Sequence, residues 1–156
     1  MNEKYLLKYA IDYLSKYDSS KNNLVNILKR KIFKLKISKD DKAKLFVHIN
    51  SIIVRLEKDK LLDDDNFTYA KIRYLANNGK SKQYIKNYLF SKGINKNDIN
   101  ENLNNFEENF SNWELESALI FARKKRLLES NELIEKKLNK MSRAGFTYDI
   151  CKKVLY

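Results

Sequence analysis

Apolar residues recur along this chain at spacings of three and four, the pattern of helices that turn one face to a core. The pattern is sharpest over residues 61–94, LLDDDNFTYAKIRYLANNGKSKQYIKNYLFSKGI. Asp63, Asp64 and Asp65 offer side-chain acceptors and negative charge where a helix begins. Phe67, Ala70 and Tyr74 then form one apolar face and Tyr69, Ile72 and Ala76 another, so a helix covered from both sides is expected. Gly79 ends it, because glycine enters the left-handed conformation past a helix C-terminus without a steric penalty. Ser81 is the next N-cap, Tyr84, Ile85, Tyr88 and Leu89 make the following stripe, and Gly93 closes it.

The rest of the chain reads as variations on this pair. Residues 3–17 form a helix with Leu7, Ala10, Ile11 and Leu14 inward, broken by YDSSKN with Ser19 or Ser20 as the next cap. The segment SKNNLVNILKRKIF, with Leu24, Ile27 and Leu28 inward, aligns with SKQYIKNYLFSKGI at a constant offset of 61. Ser20 falls on Ser81, Leu24 on Ile85, Leu28 on Leu89, Lys31 on Lys92 and Ile32 on Gly93. Such a repeat outweighs local pattern as a guide to architecture. A helix over residues 41–60 carries Leu45, Ile49, Ile52, Ile53 and Leu56, and its later counterpart carries Ile99, Leu103, Phe106 and Phe110. A third cycle follows: Leu115, Ala118, Leu119 and Ala122, then Ile134, Leu138 and Met141 up to Gly145, then a short helix capped by Thr147 with Cys151, Val154 and Leu155. The expected fold is all-α, about nine helices in three tandem three-helix units (1–60, 61–110 and 111–156), forming an elongated, curved array of helix-turn-helix-like repeats. The polar stretches NKNDINENLNN and EENFSNW read as linkers, and without Gly/Ser richness they predict limited hinge motion.

Composition supports this. Among 156 residues there are no prolines and only 3 glycines, each at the end of a helical pattern, while 43% hydrophobic content suffices for a core. No stretch approaches a membrane span, the charged N-terminus does not resemble a signal peptide, and the lone Cys151 can form neither an internal disulfide nor a cysteine-based zinc site. A cytoplasmic monomer is expected.

Charge narrows the partner. The formal net charge is +12, which suits a polyanion or an acidic protein. Residues 1–60 hold 15 Lys and Arg against 7 Asp and Glu, residues 112–156 hold 10 against 6, and residues 61–111 balance at 7 and 7. The preference for Lys over Arg, with abundant Asn and Ile, is also what an AT-rich genome produces, although codon bias alone does not create an excess over acids. Two clusters stand out: Arg123, Lys124, Lys125 and Arg126, read as a full turn of helix, and Lys29, Arg30 and Lys31 with Lys34 and Lys36 nearby. Clustered cations attract phosphates or an acidic groove. A solvated helix C-terminus favoured by the macrodipole accounts for them equally well.

Catalytic chemistry finds little support. His48 is the single histidine and lies beside Leu45 and Ile49, where a half-buried or surface role is expected. Asp63, Asp64 and Asp65 lack the alternating oxygen ligands and glycine of an EF-hand loop, since Phe67 and Thr68 intervene. Gly79 has no glycine partner and no following strand, so no Gly-rich phosphate loop is expected. No enzyme activity, metal or cofactor is expected. Trp113 reads as a packing residue, and Tyr74, Tyr84 and Tyr88 lie at core spacing, which weakens them as stacking platforms for single strands.

The stretch RLEKDKLLDDDNFTYAKIRYLANNGKSKQYIKNYLFSKGI (55–94) resembles the RecX family of recombination regulators. The likeness rests on Leu56, Leu62, Asp63, Asp64, Phe67, Arg73, Gly79, Ile85, Leu89, Lys92 and Gly93. AIDYLSKYDSSKNNLVNILKRK is similar to the family's first unit, and ALIFARKKRL with RAGFTYDICKKVL to its third. The chain departs from the pattern at Lys60, where glycine or a small polar residue is usual, and at Thr68, where alanine is customary. It also lacks an Arg-Gly-Phe turn in KIFKLKISKD and the proline after the third unit's basic run. The resemblance implies a protein that binds the RecA filament on single-stranded DNA and modulates, chiefly by inhibition, its ATPase, extension and strand exchange, with weak direct DNA contact. The expected contact residues are the two basic clusters, with Arg73, Lys80 and Lys82 added. A RecA-independent basic DNA-binding protein and a helical adaptor for another acidic partner are the alternatives.

Overall fold

A computed structural model describes residues 2–156, and among them there are nine helices and no strand. They are α1 (Glu3–Lys16), α2 (Lys21–Lys34), α3 (Lys39–Lys58), α4 (Asp64–Asn77), α5 (Lys82–Ser91), α6 (Lys96–Asn109), α7 (Trp113–Lys124), α8 (Ile134–Arg143) and α9 (Tyr148–Leu155). Polar side chains begin most of them. Asn2, Ser20, Ser38, Asn95 and Thr147 each accept a backbone N–H three residues on, and Asp63 and Ser81 do the same for α4 and α5. Each such cap stabilises its helix by about 1 kcal/mol.

The chain folds into two compact units. The first runs up to Phe67 and includes Lys92–Ile94; the second comprises Thr68–Ser91 and Asn95–Tyr156. In the first, α1, α2 and α3 pack on one another around Leu6, Ala10, Leu24, Leu28, Ile32, Leu45, Ile49, Ile52, Ile53 and Leu56. The α3 stripe is buried as the spacing predicts. On α1 the buried line is Leu6 and Ala10, with Ile11 exposed and Leu7 and Leu14 half-buried. The inward face is therefore rotated by one residue, because Tyr5, Tyr9 and Tyr13 also lay their rings against the core.

In the second unit α7, α8 and α9 enclose Ala118, Ala122, Leu127, Met141, Phe146, Cys151 and Val154. Phe106 of α6 anchors an aromatic group. Tyr69 and Trp113 meet its ring edge-on at 5.9 and 5.6 Å, and Trp113 Nε1 donates to Glu107. The expected second apolar face of α4 is absent: Ala70 and Tyr74 are exposed, and the buried line is Phe67, Thr68, Ile72, Leu75 and Ala76. Tyr84 and Phe110 are also exposed rather than in the core. NKNDINENLNN is no linker but most of α6, because the spaced Ile99, Leu103 and Phe106 turn inward and hold the segment as a helix despite its asparagines.

Candidate partner-binding surface

Two sets of contacts with the same chemistry order the candidate surface. In the first unit Ser20 Oγ accepts the Asn23 N–H at 3.1 Å and donates to the Lys92 carbonyl at 2.6 Å. The next amide, Lys21 N–H, donates to Asp64 Oδ1 at 2.8 Å, and Lys21 Nζ lies 3.2 Å from Glu57. Gly93 (φ +81°) brings its backbone so close to Asn22 that a Cβ would overlap that side chain. In the second unit Ser81 Oγ accepts the Tyr84 N–H and donates to the Ala144 carbonyl at 2.7 Å. Lys82 N–H donates to Glu114 Oε2 at 2.9 Å, and Lys82 Nζ meets Glu107 at 2.7 Å. A Cβ on Gly145 (φ +96°) would overlap Ser81 Oγ. Each joint therefore seats a glycine turn on a serine-capped helix start, and a carboxylate takes the next free amide.

The carboxylates in these joints titrate differently. Burial pushes Asp64 above the usual carboxylate range, and the Lys21 N–H and charge only partly oppose it. The Lys82 hydrogen bond holds Glu107 below that range, against a smaller effect of burial. Asp64 thus serves a joint, while Asp63 alone caps α4 through the Asn66 N–H.

The expected contact residues fall into three settings. Lys29 and Arg30 are exposed on α2, whereas Lys31 is half-buried with its ammonium 4.9 Å from the centre of the Tyr9 ring. Arg123, Lys124, Lys125 and Arg126 are all exposed, but they do not form a turn of helix. α7 stops at Lys124, Lys125 caps it, and Arg126 is left-handed (φ 55°), with Leu127 N–H bonded to the Ala122 carbonyl. Leu127 must reach the core, and this reversal of the chain takes it there. Lys60 holds the same conformation (φ 59°) after α3.

The third setting brings distant residues together. Lys80, in the turn between α4 and α5, shares an open cleft of about 410 Å³ with Lys124 and Lys125, and Tyr74, Leu75 and Phe121 line it too. Lys124 Nζ donates to the Asn78 carbonyl at 3.1 Å, and Lys80 Nζ sits 4.6 Å from the Tyr84 ring centre. The close approach of the Gly79 turn to the Phe121 backbone sets the width. Arg73 is exposed beside a smaller aromatic hollow with Phe106, Phe110 and Trp113. Lys82 is half-buried and paired within the joint. Sequence reasoning passed over Asp64 and Glu114 as amide acceptors and Tyr74 as an exposed ring. The constant offset of 61 that maps Ser20 and Lys21 onto Ser81 and Lys82 was the available signal for the joints.

Among the described residues no group of three or more His, Cys, Asp or Glu is placed to hold a metal. His48 is half-buried with Nδ1 3.5 Å from Glu3. Among the described residues no helix is long and apolar enough to cross a membrane.

No family model matches the chain. It is 27% identical over 161 residues to a Regulatory protein RecX of Myxococcus xanthus (strain DK1622), covering 97% of this chain and 84% of that protein. It is 29% identical over 149 residues to a Regulatory protein RecX of Clostridioides difficile (strain 630), covering 89% and 68%. The fold is that of the crystal structure of RecX from Lactobacillus salivarius, with a TM-score of 0.70, 24% identity and coverage of 97% and 93%. A second crystal structure of regulatory protein RecX gives a TM-score of 0.69, 20% identity and coverage of 97% and 70%. The chain is thus similar in sequence to two regulatory RecX proteins over most of their length, and in its all-α fold to two RecX crystal structures.

Proposed function

We propose that this chain regulates RecA by binding the RecA–DNA filament, restraining ATP hydrolysis, filament extension and strand exchange. The name of its relatives supports the regulatory part of this reading. The observation that carries the binding part is the gathering of Lys80, Lys124 and Lys125, from separate segments, around one open cleft. A cleft rimmed by one sign of charge concentrates polyanions and acidic surfaces. In this reading the chain acts as a cytoplasmic monomer built of three three-helix units, 1–60, 61–110 and 111–156. Arg123 and Arg126 extend the contact from the cleft, Arg73 adds to it from the neighbouring aromatic hollow, Lys29, Arg30 and Lys31 add a second one, and Lys82, already held by Glu107, contributes least. Direct DNA contact is weak and secondary to RecA.

The test is RecA ATP hydrolysis on single-stranded DNA, titrated with this protein at physiological salt, alongside its affinity for the same DNA alone. The expected result is suppression well below one protein per RecA under conditions where the protein alone binds DNA poorly. Suppression only once the DNA is saturated would replace this reading with DNA competition. Charge reversal at Arg123, Lys124, Lys125 and Arg126 is expected to weaken suppression at least tenfold, and unchanged suppression would remove that cluster from the contact.

A further inference from the structure

Tyr74 is out of place for a packing residue. It lies at core spacing on α4, yet the residue is 62% exposed and lines the cleft that holds Lys80, Lys124 and Lys125. The Lys71 ammonium lies 5.8 Å from its ring centre, which adds a fourth cation at this edge. The cations are positioned by contacts already described: Lys124 is bonded to the Asn78 carbonyl, and Lys80 rests over Tyr84. The residues that line the cleft include no carboxylate. Leu75 and Phe121 contribute apolar surface, so the site combines a flat aromatic face, an apolar lining and a cationic rim.

From this we infer that the cleft holds one unpaired nucleotide of a single-stranded nucleic acid, with its base stacked on Tyr74 and the flanking phosphates held by Lys80, Lys124 and Lys125. The inference rests on the filament-binding reading above and assigns its DNA contact to a particular place. A paired strand does not fit this chemistry, because its base faces are already stacked and only an unpaired base can lie on a side-chain ring. An acidic peptide would use the lysines but leave the exposed ring without a role. Stacking of this kind tolerates any base, as expected of a regulator that meets filaments on arbitrary sequence.

The experiment compares two labelled 12-nucleotide strands of equal charge, one of thymidine and one of abasic sites, by fluorescence anisotropy against the full chain without RecA. The thymidine strand is expected to bind on the order of tenfold more tightly. Tyr74→Ala is expected to abolish that difference and Tyr74→Phe to keep it. Both changes are at an exposed site, and helical circular dichroism checks the fold. Lys124→Gln with Lys125→Gln weakens both strands alike and lowers the salt dependence. Equal binding of the two strands by the unaltered protein, or a difference that survives Tyr74→Ala, overturns the proposal. So does displacement of the thymidine strand by a glutamate-rich peptide at a lower concentration than an unlabelled thymidine strand needs. The RecA assay separates the two readings. No suppression by the unaltered protein sinks the filament reading, whereas suppression with no thymidine preference leaves it standing and sinks the stacking site alone.

Discussion

The two joints repeat one arrangement with different parts. In the first, a helix start at Ser20-Lys21-Asn22 meets the turn Lys92-Gly93; in the second, Ser81-Lys82-Gln83 meets Ala144-Gly145. The hydroxyl bonds are nearly equal in length, and in both the next amide finds a carboxylate from the first turn of another helix. The acids differ: a short aspartate that is partly desolvated serves the first, and glutamates serve the second. At the position of α8 that corresponds to Ser20 and Ser81 stands Leu133, 69% exposed and without a side-chain cap. Lys140 instead ties the preceding loop through Glu132. Ile32, which aligns with Gly93, lies inside α2, so that helix runs on to Lys34 without a glycine turn. The joint therefore needs two halves, a serine-capped start and a glycine turn, and among the described residues both come together twice.

The largest effect is expected from the glycines. In Gly93→Ala the new methyl overlaps Asn22, and in Gly145→Ala it overlaps Ser81 Oγ, while both backbones remain left-handed. Each substitution should cost about 2–4 kcal/mol in urea unfolding, the left-handed penalty added to overpacking. Asn22→Gly should recover part of the loss in Gly93→Ala and none in Gly145→Ala.

Next come the serines. Ser20→Ala and Ser81→Ala each remove a helix cap and the hydroxyl that satisfies a carbonyl of the facing turn, both at fully buried positions. Each should cost about 1–3 kcal/mol. If only one of them destabilised the protein, the joints would not be energetically equivalent.

Leu133→Ser tests the missing half in the opposite direction. It gives α8 the cap that α2 and α5 possess and should stabilise the protein by about 0.5–1 kcal/mol, read as a rise in the unfolding midpoint.

The smallest effects separate the acids. Glu107 has a lowered pKa, so its contribution is complete above its ordinary value and is lost as pH falls through the lowered one. Asp64 has a raised pKa, so folding favours its protonated form, and its ionisation lessens stability as pH rises through the raised value. Glu107→Gln should cost about 0.5 kcal/mol at pH 7 and flatten the acid limb of the stability curve. Asp64→Asn, whose amide oxygen still accepts the Lys21 N–H, should leave stability at pH 7 unchanged or slightly higher. A matching loss from both would mean that the two acids do the same work.

Much of the fold was legible without coordinates. The i, i+3, i+4 pattern locates nine helices because burying one face requires it, and Ser20, Ser81, Thr147 and the three glycines mark helix ends through purely local geometry. Which face of α1 and α4 is buried was not legible. Apolar spacing shows that a helix has a face, but the neighbours decide which face is covered. Leu6 thus replaced Leu7 as the fully buried leucine of α1, and Tyr74 stayed outside while Leu75 went in.

What the sequence determined by itself was therefore periodicity, helix ends and the repeat, since each depends on residues a few positions apart or on a constant offset. Only the tertiary structure decided that Asp64 reaches Lys21, that Gly145 rests on Ser81, and that Lys80 faces Lys124 and Lys125 across a cleft. Those pairings join residues tens of positions apart, and packing of the intervening helices sets them, a many-body result that no local pattern encodes.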